Sequence, residues 1–434
     1  MSISSSPAPL AATAETDNAR PARAARIVSI DALRGLVMFT MIFVNDLAGA
    51  PNRIVPPWMK HFHGRSGMTF VDLVFPAFLF LVGMAIPFGL GGRLAKGQSP
   101  WLVFVHVVGR TLSLLVIGVL MVNETPDSAR MGWSGSWWCV LMFLAAILAL
   151  CSVSPSRKST PSLELARGLA AVSWGLRILG AATLVWLTLV FRGKDGHRIV
   201  TFSPFSIHTE WYGILGLIGW AYLVGSLVFM VFRLNRNALL GCAVLLMCLY
   251  AADQTGVFGS FWLGRYVSIG EALGSQGSIT VAGLLLAATL ADNGRAGLGA
   301  RVRFTLLFIG GFAAAGLLLN GLYGINKNQA TPSWCAWACA ITAALWLLFH
   351  LGADGQGRWA PALRPLALAG RNVLLAYLIS EMLPSLVDSV GLGDWYDALA
   401  GPTLPHAIAR SAACALVVLC ASVGLNRLGF SVKL

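Results

Sequence analysis

Stretches of about 20 predominantly apolar residues recur along this chain, and they decide its fold class before any motif is read. Four clear examples are 101–122, 211–232, 304–322 and 406–425. Each is long enough to cross a hydrocarbon core of about 30 Å as a helix. Lipid offers the backbone no hydrogen-bond partners, so helices that satisfy their own peptide groups are the natural spanning element. A barrel would show short alternating strands instead. Only 11% of the 434 residues are charged, against about 25% in an ordinary soluble domain, and the mean hydropathy is +0.73. The expected fold is all-α, a polytopic membrane helix bundle.

The pattern places about 12 membrane helices near 33–49, 69–90, 101–122, 133–152, 169–191, 211–232, 238–252, 276–292, 304–322, 333–351, 370–388 and 405–425, with 10 or 11 as the alternatives because 238–252 is short. Residues 1–25 are rich in Ala, Ser and Pro without an apolar run, which reads as a disordered cytoplasmic tail ahead of a membrane domain over 26–434. Net charge is +13, yet its distribution follows topology and not a polyanion site. With the N-terminus inside, inner segments carry 18 Lys and Arg and outer loops nine. That two-fold bias places both termini in the cytoplasm, and no nucleic-acid partner is expected.

Polar residues at membrane depth are costly, so they mark function. The densest set lies in 26–87, where two hydrophobic segments meet at a loop carrying His61 and His63. Asp31 and Arg34 share one face at the start of the first helix, as an ion pair or as the inner mouth of a substrate channel. Asn45 lies about three turns on, where it caps, bonds another helix or orients a substrate carbonyl. Asp72 opens the second helix, where it favours the dipole or supports a neighbouring imidazole. Imidazole, with an unperturbed pKa near 6.5, is the usual general base at neutral pH. Further polar sets are Gly-Ser-Gln-Gly-Ser at 274–278, with Ser275 and Ser278; Asn326, Lys327 and Asn328 on the outer side; and Asn372, Tyr377 and Glu381 on one late helix.

Eight cysteines fall in or beside apolar runs, without a CxxC or paired His. They read as small buried hydrophobes, and neither a metal site nor a structural disulfide is expected. P-loop, GxSxG, HExxH and Rossmann fingerprints are all missing from the sequence.

Taken in order, several segments resemble one family. They are RIVSIDALRG, MIFVND, a Lys-His pair followed by GMTFVDLVFPAFLFLVG, GRTLSLLVIGVLMVN around Arg110, ILGLIGWAYL, GSQGSI, INKNQATPSW and GRNVLLAYLISE. Together they resemble the heparan-α-glucosaminide N-acetyltransferase family of transmembrane acyltransferases and its bacterial relatives. The resemblance implies transfer of an acetyl group from cytosolic acetyl-CoA, as co-substrate, to an amino sugar or glycan acceptor on the far side of a membrane, without a metal. It matches Asn45 to the family's active-site Asn and His61 to its active-site His. That His stands ten residues before the Asp of DLVFP in the family; here Phe62 occupies that place. Lys60-His61 matches the family's Lys-His pair with one residue inserted after it, and His63 is the alternative.

The implied catalytic set is His61, Asn45, His63 and Asp72. The implied substrate-binding set is Asp31, Arg34, Arg110, Ser275, Ser278, Asn326, Lys327, Asn328, Asn372, Tyr377 and Glu381. Relative to the family, 133–191 reads as a two-helix insertion. The expected setting is a bacterial cytoplasmic membrane, with membrane lipids and a second copy of the chain among the partners. A rival reading is a carrier or flippase for a glycan or lipid-linked sugar, with Asp31, Arg34 and Glu381 along its path; a non-catalytic scaffold is the weakest.

Overall fold

The computed structural model describes residues 27–123, 126–155, 162–209, 211–291, 297–355 and 357–432, and the tail expected over 1–25 lies outside them. Among the described residues, fifteen α-helices follow one another: α1 (Val28–Ala48), α2 (Val71–Ala95), α3 (Pro100–Val122), α4 (Ser128–Met131), α5 (Gly135–Ala149), α6 (Leu163–Val190), α7 (Gly213–Phe232), α8 (Arg236–Gln254), α9 (Gly277–Ala287), α10 (Leu298–Tyr323), α11 (Pro332–Phe349), α12 (Ala360–Ala369), α13 (Val373–Ser389), α14 (Gly393–Ala398) and α15 (Leu404–Arg427). Two small antiparallel pairs accompany them. β1 (Cys151–Val153) pairs with β4 (Phe430–Val432), and β2 (Val200–Phe202) with β3 (Phe205–Ile207). The protein is an all-α, multi-pass integral membrane bundle.

Each of the twelve expected segments is helical, but they are not twelve full spans. Among the described residues, nine helices are long and apolar enough to cross a membrane, and α12 with α13 makes a tenth that is bent by 61°. α5, at 15 residues, is shorter. The segment expected at 276–292 is the eleven-residue α9, entered through a π-helical turn at Ile269–Gln276. The helix expected at 370–388 breaks at Gly370–Asn372, where α12 hands over to α13.

Burial separates an inner set from an outer ring. α9 is buried along its whole length, packed against α2, α7 and α8. α6, α8 and α10 bury only about a fifth of their apolar window or less, so their Leu, Val and Trp side chains face outward, as lipid-facing helices do.

Small residues set the closest crossings. A Cβ on Gly83 of α2 would lie 1.9 Å from the Thr280 carbonyl oxygen, and one on Gly283 of α9 would lie 2.0 Å from that of Phe80. The same reciprocal contact joins α1 to the α12–α13 break. A Cβ on Gly35 would meet the Leu366 carbonyl at 2.0 Å, and one on Gly370 that of Asp31 at 1.9 Å. These two crossings fix the backbones that carry the polar residues described next.

Candidate active site

The start of α2 builds the His61 loop. Val71 donates its backbone N–H to Thr69 Oγ1 at 3.2 Å, and Asp72 accepts from the Thr69 N–H at 3.0 Å. These bonds hold the chain as it enters α2, with Asp72 reaching back to Thr69 as the acid of a capping box does. The same carboxylate accepts the Phe62 N–H at 3.1 Å, while Thr69 Oγ1 donates to the Lys60 carbonyl at 2.7 Å. One 1%-exposed aspartate therefore shapes both the helix start and the loop before it.

His61 Nδ1 lies 2.8 Å from Asp72 Oδ1, and its side chain stays 43% exposed. Lys327 Nζ lies 3.0 Å from Nδ1 and 3.2 Å from Nε2 of the same ring. A carboxylate only accepts and an ammonium only donates. The consistent arrangement places the proton on Nδ1, donated to Asp72, and leaves the Nε2 lone pair to accept from Lys327. Burial pushes the Lys327 ammonium pKa down, and the charge of Asp72 pulls it partly back.

Lys327 is aimed by its own loop. Asn326 Oδ1 accepts the backbone N–H of Asn328 at 2.9 Å and of Gln329 at 3.2 Å, and the Asn326 N–H donates to Thr331 Oγ1 at 3.0 Å. The two loops are clamped together. Gly67 donates its N–H to the Ile325 carbonyl at 2.9 Å, and Ile325 donates to Ser66 Oγ at 3.0 Å.

Asn45 sits at the same end of the bundle, exposed near the end of α1, with Nδ2 donating to Glu381 Oε1 of α13 at 3.1 Å. Its neighbour Asp46 holds a network beside the site that sequence reasoning missed. Asp46 Oδ2 accepts from Arg410 Nε at 3.1 Å and from Ser411 Oγ at 2.6 Å, and Oδ1 accepts from the Tyr396 hydroxyl. Arg410 Nη2 also donates to the Asp46 carbonyl at 2.9 Å. Burial and the hydrogen bond to Asp46 push the Tyr396 phenol pKa up. The network ties the end of α1 to α15. The ND within MIFVND was its visible half; partners 350 residues or more away left no local signal.

Toward the other end of these helices lies a cavity of about 430 Å³. Its lining includes Arg34, Arg93, Arg110 and Arg371 but no carboxylate. Arg34 stands 3.5 Å from Asp31, and the Arg110 guanidinium lies 4.5 Å from the centre of the Tyr222 ring. Arg110 Nε and Asn372 Nδ2 are buried without a hydrogen-bond partner among the described residues. Asn372 Oδ1 accepts the Val432 N–H at 3.3 Å, so β4 closes one wall. Tyr377 also lines the space. Apolar side chains carry it along α2 from Arg93 to Phe78, about 22 Å of helix rise. Met41 on α1 and Phe78 stand one and two turns from Asn45 and Asp72.

The structure therefore gathers His61, Asp72 and Lys327 in one cluster, joins Asn45 to Glu381, and brings Arg34, Arg110, Asn372 and Tyr377 to the cavity. Asp31 reaches that cavity through Arg34. Other sequence candidates fall elsewhere. Ser275 and Ser278 are fully buried, and Ser278 Oγ donates to the Ser275 carbonyl at 2.6 Å. Their small-residue run serves helix packing: a Cβ on Gly274 would lie 2.8 Å from the Leu246 carbonyl of α8. His63 is exposed and makes no hydrogen bond or ion pair among the described residues. Asn326 shapes its loop, and Asn328 is exposed beside it.

Comparison with known proteins bears on part of the chain. A family model described as a domain of unknown function, DUF5009, matches residues 26–134. Heparan-alpha-glucosaminide N-acetyltransferase from Mus musculus is 31% identical over 125 residues, 29% of this chain and 18% of that protein. The Homo sapiens protein of the same name is 30% identical over 108 residues, 25% of this chain and 15% of its own length. The chain thus spans less than a fifth of the length of the curated relatives it matches. The family model spans the part of the chain that carries Asn45, His61, Asp72 and Arg110, and over about a quarter of its length the chain resembles the heparan-α-glucosaminide N-acetyltransferases.

Proposed function

We propose that this protein is a transmembrane acetyltransferase, moving an acetyl group from acetyl-CoA to an amino sugar or glycan on the opposite side of the membrane. One observation carries the reading: an arginine-lined cavity runs along α1 and α2 toward the Asp72–His61–Lys327 cluster. Four arginines without a carboxylate suit the phosphates of a CoA donor, and the apolar length beyond them suits its pantetheine arm. The Lys and Arg bias supports a cytoplasmic mouth for this cavity and an outer setting for His61. A bacterial cytoplasmic membrane fits that arrangement.

In the proposed reaction the acceptor amine attacks the thioester carbonyl carbon while His61 Nε2 takes its proton. Asp72 holds the Nδ1 proton and so keeps the lone pair on Nε2. Lys327 leaves Nε2 for the carbonyl oxygen as that oxygen gains charge, and Asn45 Nδ2 is the second donor. The C–S bond then breaks, and the thiolate leaves as free CoA thiol with the proton that His61 had taken. Asn326 serves by holding the Lys327 loop.

The carrier reading receives less support, because Asp31 and Glu381 do not line the cavity and are paired with Arg34 and Asn45. The test supplies labelled acetyl-CoA to membranes containing the wild type, His61→Ala or His63→Ala and identifies what becomes labelled. Loss of acyl transfer with His61→Ala alone is expected. Equal rates in all three would remove His61 from the chemistry, and label trapped on His61 would replace direct transfer with an acyl-imidazole route.

A further inference from the structure

A second cavity, of about 440 Å³, lies beside the first and opens between α3, α5 and α6. Its lining is amphipathic. Arg177, His106 and Arg110 supply the polar wall, and Trp174, Ile178 and Leu150 much of the apolar one. Trp174 and Ile178 are 63% and 65% exposed. They stand on α6, which buries little of its apolar surface in the bundle, so this groove opens sideways toward lipid and not along the bundle axis.

Arg177 is held for a ligand on one side only. Its Nε donates to the Cys151 carbonyl at 2.7 Å, and its guanidinium lies 5.6 Å from the centre of the Trp174 ring. No carboxylate is among the groups that line the groove. Arg177 is one turn beyond Ser173, whose Oγ bonds the backbone of Val153 in β1. The cation therefore stands level with the β1–β4 pair, partway along α6, with exposed apolar side chains on either side of it. An Arg and a Trp at that level, above an apolar floor, match an amphiphile with a negative head and a hydrocarbon tail.

We propose that this groove is a binding site for an anionic phospholipid, its headgroup phosphate on Arg177 and an acyl chain along Trp174, Ile178 and Ala181. The site goes beyond the acyltransfer reading: it shares His106 and Arg110 with the arginine cavity but places its headgroup on Arg177 and its acyl chain on α6, in the helix pair over 133–191. Its test measures binding and needs no acceptor.

The full chain, purified with native lipid, would be examined by native mass spectrometry and by titration with phosphatidylglycerol and phosphatidylcholine. Wild type should retain a phosphatidylglycerol in preference to phosphatidylcholine. Arg177→Ala should weaken that binding by about ten-fold or more, the loss expected for one charged hydrogen-bonding partner. Ala181→Phe keeps every charge and fills the groove floor, and should weaken it as well, so a folding defect peculiar to Arg177→Ala does not decide the outcome. Thermal unfolding of each variant checks that it is folded. Equal retention of both lipids, or retention unchanged in both folded variants, would overturn the proposal. Displacement of the lipid by inorganic phosphate alone would reduce the site to an anion site and overturn it too.

Discussion

The His61 loop and the arginine cavity lie toward opposite ends of α2 and handle charge in opposite ways. At the loop, charged and polar groups meet one another. Asp72 bonds His61, Phe62 and Thr69, Lys327 meets His61, and Asn45 meets Glu381. In the cavity, cations gather around empty space without a carboxylate on the wall, and Arg110 Nε and Asn372 Nδ2 have no hydrogen-bond partner among the described residues. A satisfied cluster holds one geometry and suits bond-making. Buried donors left unpaired there, Arg110 Nε and Asn372 Nδ2, are a cost that a bound anion would relieve. Under the proposed function chemistry falls to one end and donor binding to the other, so substitutions at each end should fail differently.

The largest effect is expected at His61. His61→Ala should lower kcat by about 10²–10⁴ with the donor KM little changed, the usual span for losing a general base. A fall in donor affinity with kcat intact would place His61 in binding and erase the contrast. Lys327→Ala should follow, with a loss of about 10²–10³ in kcat, the range for one oxyanion donor. Lys327 also predicts a pH dependence. Burial lowers its pKa, so its charged form, needed at the oxyanion, is lost as pH rises through a value below that of a free lysine. Activity should therefore fall on the alkaline side earlier than an unperturbed lysine would allow, and Lys327→Arg should move that limb upward in a pH–rate profile.

At the other end, Arg110→Ala should raise the KM for the donor by about 10–100-fold, as for losing a charged hydrogen-bonding partner, and leave kcat within a few-fold. An effect on kcat alone would contradict the donor assignment. The smallest effect is expected at His63, which is exposed and unpartnered among the described residues. His63→Ala should change steady-state rates by less than about two-fold, within the range typical of surface substitutions.

How much of this was legible in the sequence differs between the two ends. The His61–Asp72 pair was visible because both residues lie in one short stretch bounded by apolar runs. Lys327 was visible as an isolated cation on the same side of the membrane as His61. The cavity was only partly visible: Arg34 and Arg110 stood out as charges in apolar segments, but no local pattern says that four arginines face one space. The Asp46–Arg410–Tyr396–Ser411 network was hidden, since its parts are local only in three dimensions. The Gly-Ser-Gln-Gly-Ser run suggested close approach of a ligand or a helix, and the helix is what approaches. The spans number up to ten among the described residues, the lowest of the expected counts, for a physical reason. Hydrophobicity marks a segment as buried in apolar surroundings but does not say whether lipid or other helices surround it, and α9 is enclosed by neighbours along its whole length.

The most direct measurement uses sealed proteoliposomes sorted by orientation, with labelled acetyl-CoA on one side of the membrane and glucosamine on the other. The account predicts labelled N-acetylglucosamine only when acetyl-CoA is on the side of the arginine cavity and the amine on the side of His61, with His61→Ala abolishing it. Transfer that requires donor and acceptor on the same side, or uptake of glucosamine without acetylation, would contradict it.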